Sequence, residues 1–131
     1  MSAAFVDTFF WIALLNRSEP WHAQVVAYRQ PKRLITSSAV LLEVMDAYCG
    51  IELREVAGKF WKRCHSDPPV EIVPADSPLL DQAFDLYASR PDKAWSLTDC
   101  ISFVIMTDRG LQLALTADRH FEQAGFQRAF A

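Results

Sequence analysis

Short apolar runs and longer stretches of helical periodicity alternate along this chain. The runs predict β-strands at residues 3–6, 34–36, 70–73 and 111–116, with a small edge strand at 126–127. The first run is apolar throughout, which is typical of a strand that is covered on both faces. The pattern therefore indicates a buried parallel strand at the start of the chain.

Helices are predicted between the strands, and most of them have recognisable ends. They fall at residues 8–15, 39–49, 52–65, 77–88 and 97–107, with one more from a cap at Ser18 to about residue 28 and a short one from Asp118 to Gly125. The candidate caps and stops are Ser37 or Ser38, Asp76 or Ser77, Ser96, Gly50 and Gly110. The sequence Asp-Pro-Pro at 67–69 predicts a firm break, and the helix at 77–88 carries an apolar stripe of Leu79, Leu80, Ala83, Phe84 and Tyr87.

This alternation predicts the fold class. Parallel strands joined by helices use right-handed crossovers, which place helices on both faces of the sheet. We expect an α/β fold with three layers, α/β/α, around a central parallel sheet of four to five strands. The 131 residues contain no repeat or linker and are too few for two domains, so one domain is expected at residues 1–131.

Composition and charge narrow the function. Hydrophobic residues make up 51% of the chain and charged residues 22%, which is ordinary for a soluble globular protein. The net charge of −3 argues against a protein that coats nucleic acid by charge alone. Three widely spaced cysteines indicate reduced core thiols rather than disulfides or a zinc site. Without a signal peptide or a membrane-length apolar run, we expect a cytoplasmic protein.

Carboxylates fall at the ends of the predicted elements. Asp7 follows the first strand and Asp118 follows the fourth, so a parallel sheet brings both to the edge where α/β proteins bind ligands. Asp99 lies in the first turn of the helix before the fourth strand, and Glu43 interrupts an apolar helix. Converging carboxylates repel one another unless a cation lies between them, and Mg²⁺ and Mn²⁺ prefer such oxygen ligands. The sequence thus predicts a divalent-metal site.

Three of these acids also have a structural explanation. Asp7 and Asp118 are good helix N-caps, and Asp99 completes a capping box of sequence Ser-Leu-Thr-Asp. Glu43 has no capping role in mid-helix. We expect it to be a buried carboxylate on a close-packed helix face with Ala47, where its charge would require a cation.

Four stretches of the chain carry a family resemblance. They are residues 5–11, 36–44, 92–103 and 115–121, the last together with 124–126, and Trp-Ser-Leu-Thr-Asp at 95–99 and Thr-Ala-Asp-Arg-His-Phe at 116–121 are the more specific pieces. In these stretches the sequence resembles the PIN-domain family, most closely the VapC-type toxin ribonucleases of bacterial toxin–antitoxin pairs. The resemblance extends along the whole chain.

The resemblance implies a fold, an activity and partners. It implies a PIN-like fold with five parallel strands, a homodimer, and a small antitoxin protein as partner. It also implies that Asp7, Glu43, Asp99 and Asp118 hold one or two Mg²⁺ or Mn²⁺ ions and act in catalysis. The reaction would be RNA cleavage in which water hydrolyses the phosphodiester and leaves a 3′-hydroxyl.

Other residues near these motifs are candidates for supporting roles. Thr8 and Thr98 are adjacent to acids and could orient a carboxylate or a water, although either could simply start a helix. Lys93 and Arg119 could contact substrate phosphates, although a solvated surface charge is the favoured explanation of each. His120 is expected to be a packing or surface residue, because a hard carboxylate site does not require imidazole.

Two other functions stay open at this stage. One is a PIN-like module that binds RNA or protein without cleaving, although the presence of all four acids disfavours it. The other is a PIN ribonuclease of ordinary RNA processing. Trp11 and Trp95, which lie beside the motifs, are expected in core or dimer contacts rather than in base stacking.

Overall fold

The computed structural model describes residues 2–66 and 70–131. Its elements are β1 (Ala3–Val6), α1 (Thr8–Leu15), α2 (His22–Ala27), β2 (Arg33–Ser37), α3 (Ser38–Ala47), α4 (Arg54–Ser66), β3 (Val70–Val73), α5 (Ser77–Ser89), α6 (Leu97–Arg109), β4 (Leu113–Leu115), α7 (Arg119–Gln123) and β5 (Gln127–Arg128). The strands form one parallel sheet in the order β3-β2-β1-β4-β5, with helices on both faces. The predicted three-layer α/β/α fold is confirmed, and the predicted break at 67–69 lies outside the described residues.

β1 lies at the centre of the sheet, between β2 and β4. Because all neighbouring strands are parallel, the residues that follow β1 and β4 meet at one edge. The Thr36 hydroxyl at the end of β2 donates to the carbonyl of Val6 over 2.9 Å. This contact fixes the point at which the chain leaves β1, immediately before Asp7.

The core combines the central strands with the inner faces of the helices. Its fully buried side chains include Phe5, Val6, Phe10, Ile35, Leu41, Met106, Leu115 and Phe121. Trp11 and Trp95 are core residues too, as expected. Phe130 lies near the carboxyl end of the chain. Its ring packs on the aromatic rings of Phe9, Phe10, Trp21 and Tyr28.

Several helix ends differ from the predicted ones. α2 begins at His22 rather than near Ser18, because residues 17–21 form a turn region in which the Ser18 N–H donates to the side chain of Asn16 over 2.9 Å. α3 ends at Ala47, before the predicted stop at Gly50, and α4 begins two residues later than predicted. Local propensity therefore located these helices but not their limits.

The apolar stripe along α5 is only partly buried. Leu79 and Ala83 belong to the core, whereas Leu80, Phe84 and Tyr87 are exposed. The predicted stripe is therefore wider than the surface that covers it, because α5 packs mainly on α6 and leaves its other side open.

The predicted core thiols are confirmed for Cys64 and Cys100, which are buried. Cys49 is exposed instead, because α3 ends before it. In the described part of the chain, none of the helices is long and apolar enough to cross a bilayer.

Candidate active site

The four predicted acids surround one cavity at the carboxyl edge of the sheet. Each comes from a different part of the fold: the end of β1, α3, the first turn of α6 and the loop after β4. The cavity has a volume of about 480 Å³ and is lined by Asp7, Thr8, Phe9, Glu43, Ala94, Ser96, Asp99, Ala117, Asp118 and His120.

Asp7 is the most deeply buried acid of the cavity, with 7% of its surface exposed. Burial is the main cause that raises its pKa to about 7, and the charges of Asp99 and Asp118 add to this, whereas hydrogen bonds from Thr116 and the Thr8 backbone lower it. No cationic side chain among residues 2–66 and 70–131 pairs with it. Its side chain forms no capping bond, so the N-cap alternative does not explain this carboxylate.

Thr116 is a site residue that the sequence reasoning missed. Its buried hydroxyl donates to Oδ2 of Asp7 over 2.8 Å and accepts the backbone N–H of Asp118 over 3.0 Å. One hydroxyl therefore joins the end of β1 to the loop after β4. The available signal was a polar residue at the end of an apolar strand, two positions before an acid.

Glu43 lies on the open side of the cavity. Its side chain is exposed, and the hydroxyl of Thr8 donates to its Oε1 over 2.5 Å. The expectation of a buried carboxylate was wrong, because Ala47 is exposed as well and this side of α3 faces solvent. Thr8, a predicted supporting residue, therefore contacts a cavity acid.

Asp99 and Asp118 combine helix capping with a place in the cavity. Ser96 and Asp99 form the predicted capping box, in which Oδ2 of Asp99 accepts the Ser96 N–H over 3.1 Å. Oδ1 of Asp118 accepts the backbone N–H of His120 over 2.9 Å at the start of α7. The capping explanation holds for both residues, and the same bonds orient the two carboxylates at the cavity.

His120 belongs to the cavity, contrary to the expectation of a packing or surface residue. Its Nδ1 lies 2.9 Å from Oδ2 of Asp99 and 3.5 Å from Oδ1 of Asp118. Ligand atoms of these three residues lie within 4.8 Å of one another, close enough to share one ion. The sequence contained a signal for the contact with Asp118, since the first turn of a helix returns toward the residue that caps it, but none for the contact with Asp99.

The other predicted residues lie outside the lining of the cavity. The hydroxyl of Thr98 makes no hydrogen bond to an acid among the residues described, and its carbonyl accepts the Ser102 hydroxyl over 3.1 Å. Lys93 is half-buried in the loop before α6, and Arg119 is exposed at the start of α7. Both are sequence neighbours of lining residues, Ala94 and Asp118.

A second groove, of about 520 Å³, lies against α1 and α4, and its lining differs in residue type from that of the carboxylate cavity. Its lining is mainly apolar, and none of its described lining residues is acidic. It offers no oxygen ligands for a hard cation, so the carboxylate cavity is the candidate active site.

Comparisons with known proteins agree with this architecture. Residues 4–127 match the family model described as PIN domain. The 23S rRNA-specific endonuclease VapC20 of Mycobacterium tuberculosis is 33% identical to this chain over 127 residues, which cover 93% of this chain and 94% of that protein.

Two solved structures are also similar. The M. tuberculosis VapC20 structure, described as a sarcin-ricin loop cleaving toxin, superposes with a TM-score of 0.87 and 26% identity over 96% of this chain and 97% of that one. VapBC2 of Rickettsia felis superposes with a TM-score of 0.67 and 12% identity over 96% of this chain and 98% of that one, and this shows the fold alone. The matches confirm the resemblance drawn from the sequence: the chain belongs to the PIN domain family.

Proposed function

We propose that this protein is a metal-dependent endoribonuclease that hydrolyses RNA phosphodiester bonds, and that it is the toxin of a toxin–antitoxin pair. The observation that carries the proposal is the convergence of Asp7, Glu43, Asp99 and Asp118 on one open cavity. Membership of the PIN domain family and the similarity to VapC20 support it.

The donor set of the cavity fits Mg²⁺ or Mn²⁺. Asp7 is a buried carboxylate whose pKa is raised to about 7, and a divalent cation beside it would reverse that shift. Asp99 and Asp118 lie close enough to share an ion, and Glu43 would complete a site of hard oxygen ligands for one or two ions. Bound there, the cation would activate water and offset negative charge on the phosphate.

The surrounding side chains hold the ligands in place. The Thr116 hydroxyl orients Asp7, and the Thr8 hydroxyl orients Glu43. The cavity is open on the Glu43 side, which leaves a polymer free to enter it. Lys93 and Arg119 flank the acids, and we propose that they contact substrate phosphates. Thr98 stays a proposed supporting residue, although its hydroxyl makes no hydrogen bond to an acid in the part of the chain that the structure describes.

Ribosomal RNA is the substrate class that we would test first. VapC20 is described as specific for 23S rRNA, and its similarity extends over 93% of this chain. The four acids would act on any phosphodiester bond. Specificity for one RNA therefore depends on contacts that other residues make with the substrate.

The proposal includes an antitoxin and a second copy of this chain as partners. Exposed apolar side chains support protein partners, because large apolar patches on a surface are typical of interaction sites. On α5 they are Leu80, Phe84 and Tyr87, and around α3 and α4 they are Leu42, Ile51, Leu53 and Val56. We assign the α5 face to the homodimer.

We also propose that one nuclease domain occupies residues 1–131 and acts in the cytoplasm. The family match over residues 4–127 supports the first statement. The free thiols of Cys49 and Cys100 support a reducing compartment.

A cleavage assay tests the activity. Purified protein is incubated with ribosomal RNA in EDTA, Mg²⁺ or Mn²⁺, beside Asp7→Asn and the control Asp85→Asn, an exposed acid of α5. We expect metal-dependent cleavage by the wild type and the control. Asp7→Asn should lose cleavage activity by about 100-fold or more, since loss of a residue that only hydrogen-bonds a metal ligand already lowers metal affinity or activity by roughly 10- to 100-fold.

The other outcomes are equally informative. Equal activity in Asp7→Asn and wild type would identify a contaminating nuclease. Retention of RNA without metal-dependent cleavage would contradict the proposal and favour the non-cleaving module. Growth arrest on expression that a small neighbouring gene product relieves would distinguish a toxin from an RNA-processing enzyme.

A further inference from the structure

His120 links Asp99, in the first turn of α6, with Asp118, the residue that caps α7. It stands in the first turn of α7, and its side chain is 29% exposed at the wall of the cavity. Its Nδ1 is 2.9 Å from Oδ2 of Asp99 on α6 and 3.5 Å from Oδ1 of Asp118. Because the oxygen nearest to Nδ1 belongs to the carboxylate of Asp99, which accepts hydrogen bonds, we assign the hydrogen to Nδ1 and the donated bond to Oδ2 of Asp99.

The hydrogen bonds of Asp99 converge on one of its two oxygens. Oδ2 accepts the Ser96 N–H over 3.1 Å and the His120 imidazole over 2.9 Å. Among the residues described, no hydrogen bond reaches Oδ1. Two donors on one oxygen fix the plane of the carboxylate and leave the other oxygen available as a ligand.

The position of His120 is itself fixed by the second acid. Its backbone N–H donates to Oδ1 of Asp118 over 2.9 Å, and the N–H of Asp118 donates to Thr116 over 3.0 Å. A continuous chain of contacts therefore runs from the buried end of β4 through Asp118 and His120 to Asp99. Without the imidazole, each carboxylate would keep only a backbone donor from the described part of the chain, the N–H of Ser96 or of residue 120, and no side chain there would lie between the two acids to offset their repulsion.

We infer that His120 is a positioning residue of this site, which holds Asp99 and Asp118 at the separation that a shared divalent cation needs. The inference rests on the proposed function, because it concerns the same metal site. His120 acts through the two acids in this role. Hydrogen-bond partners of metal ligands orient those ligands in this way, and their loss typically weakens metal binding by about 10- to 100-fold.

Three substitutions separate this role from the alternatives. In His120→Asn the amide nitrogen replaces Nδ1 at a similar distance from the backbone, whereas in His120→Gln the amide lies nearer the position of Nε2. His120→Ala removes the donor altogether. His65→Asn on α4 is the matched control, because His65 is exposed and outside the cavity lining.

The experiment measures Mn²⁺ binding to each full-length variant without RNA, from the electron paramagnetic resonance signal of free Mn²⁺. We expect His120→Asn and His65→Asn to keep most of the wild-type affinity. His120→Ala and His120→Gln should bind Mn²⁺ about 10- to 100-fold more weakly. In cleavage assays the two weak variants should need more Mn²⁺ for half-maximal rate, with KM for RNA unchanged and kcat restored at high Mn²⁺.

Two results would overturn the inference. One is wild-type Mn²⁺ affinity in both His120→Ala and His120→Gln. The other is a loss in His120→Asn as large as in His120→Ala, with a nitrogen coupling on the wild-type Mn²⁺ signal, which would make His120 a direct ligand. If circular dichroism shows that His120→Ala does not fold, the Mn²⁺ affinities of His120→Asn and His120→Gln still test the positioning role.

The nuclease proposal fails on a different result. A wild type that binds Mn²⁺ with the expected pattern of variants but cleaves no RNA would contradict the nuclease function and leave the positioning role intact. Cleavage by the wild type, with the same metal dependence in all His120 variants, would support the nuclease function and overturn the positioning role.

Discussion

The hydroxyl of Thr116 and the carboxylate of Asp7 form a buried hydrogen bond of 2.8 Å across the two neighbouring strands β1 and β4. It joins the first and the last acidic segments of the cavity directly, across 109 residues of the chain. The bond orients a carboxylate whose burial raises its pKa to about 7, so its ionised form lowers the stability of the metal-free fold.

Replacement of Thr116 by Val removes this hydroxyl while keeping the shape of the side chain. We expect Thr116→Val to lower the free energy of unfolding by about 1–3 kcal/mol at pH 8 in EDTA, because both Asp7 and the Asp118 N–H lose a buried hydrogen-bond partner. Urea unfolding measures the change, and Thr107→Val, at an exposed position on α6, is the control. Equal losses in the two variants would contradict a specific role for the Thr116 hydroxyl.

The raised pKa of Asp7 makes the stability of the metal-free protein depend on pH. Its pKa is about 7 in the folded protein and 3.8 ordinarily, so between these values the folded state holds a proton that the unfolded chain has released. Stability therefore falls as the pH rises through this range, by up to roughly 1.4 kcal/mol per pH unit.

Asp7→Asn tests this dependence. The variant cannot ionise at this position, so in EDTA we expect it to lose less stability than the wild type between about pH 5 and pH 7, and to be the more stable protein at pH 8. Urea unfolding across this range measures the difference. Parallel stability curves for the two proteins would show that burial of Asp7 carries no penalty.

Glu43 should contribute to activity without contributing to stability. Because its side chain is exposed, we expect Glu43→Gln to change the free energy of unfolding by less than about 0.5 kcal/mol. RNA cleavage should nevertheless fall about 10-fold or more, since a proposed ligand of the cation is lost. Asp46→Asn, an exposed acid on the same helix and outside the cavity lining, should keep full activity. Similar activity in both variants would remove Glu43 from the site.

A charge on the apolar face of α5 should disrupt the proposed homodimer. Phe84 is 56% exposed and stacks on Tyr87, with ring centroids 6.2 Å apart. We expect Phe84→Glu to be monomeric in light scattering after size exclusion, whereas Val26→Glu on α2, at 57% exposure, stays dimeric. A monomeric wild type would contradict the dimer, and a dimeric Phe84→Glu would place its interface elsewhere.

Local patterns in the sequence are sufficient for the order and class of the elements. The apolar run before Asp7, the capping box at Ser96 and the glycine stop at Gly110 depend on neighbours a few residues away, and each lies where the pattern predicts. Gly110 adopts φ 65°, a conformation that glycine takes without strain. The topology then follows, because parallel strands that alternate with helices have few ways to pack.

The burial of individual side chains was less predictable. Glu43 and Phe84 both lie on helices whose periodicity indicates a buried face, and both are exposed. An apolar stripe shows which side of a helix is hydrophobic, but not how wide a surface its neighbours will cover. That width depends on the packing of α3 and α5 against the rest of the fold.

The sequence by itself determined the parallel α/β fold and was sufficient to select the four carboxylates as candidate ligands. Strand, helix and cap signals are local, and the carboxyl ends of parallel strands share an edge. Only the tertiary structure decided which acid is buried, that Thr116 bonds to Asp7, and that His120 lies between Asp99 and Asp118. These are contacts between segments far apart in the chain. Their geometry depends on the distances between packed elements, and no periodicity along the sequence encodes those distances.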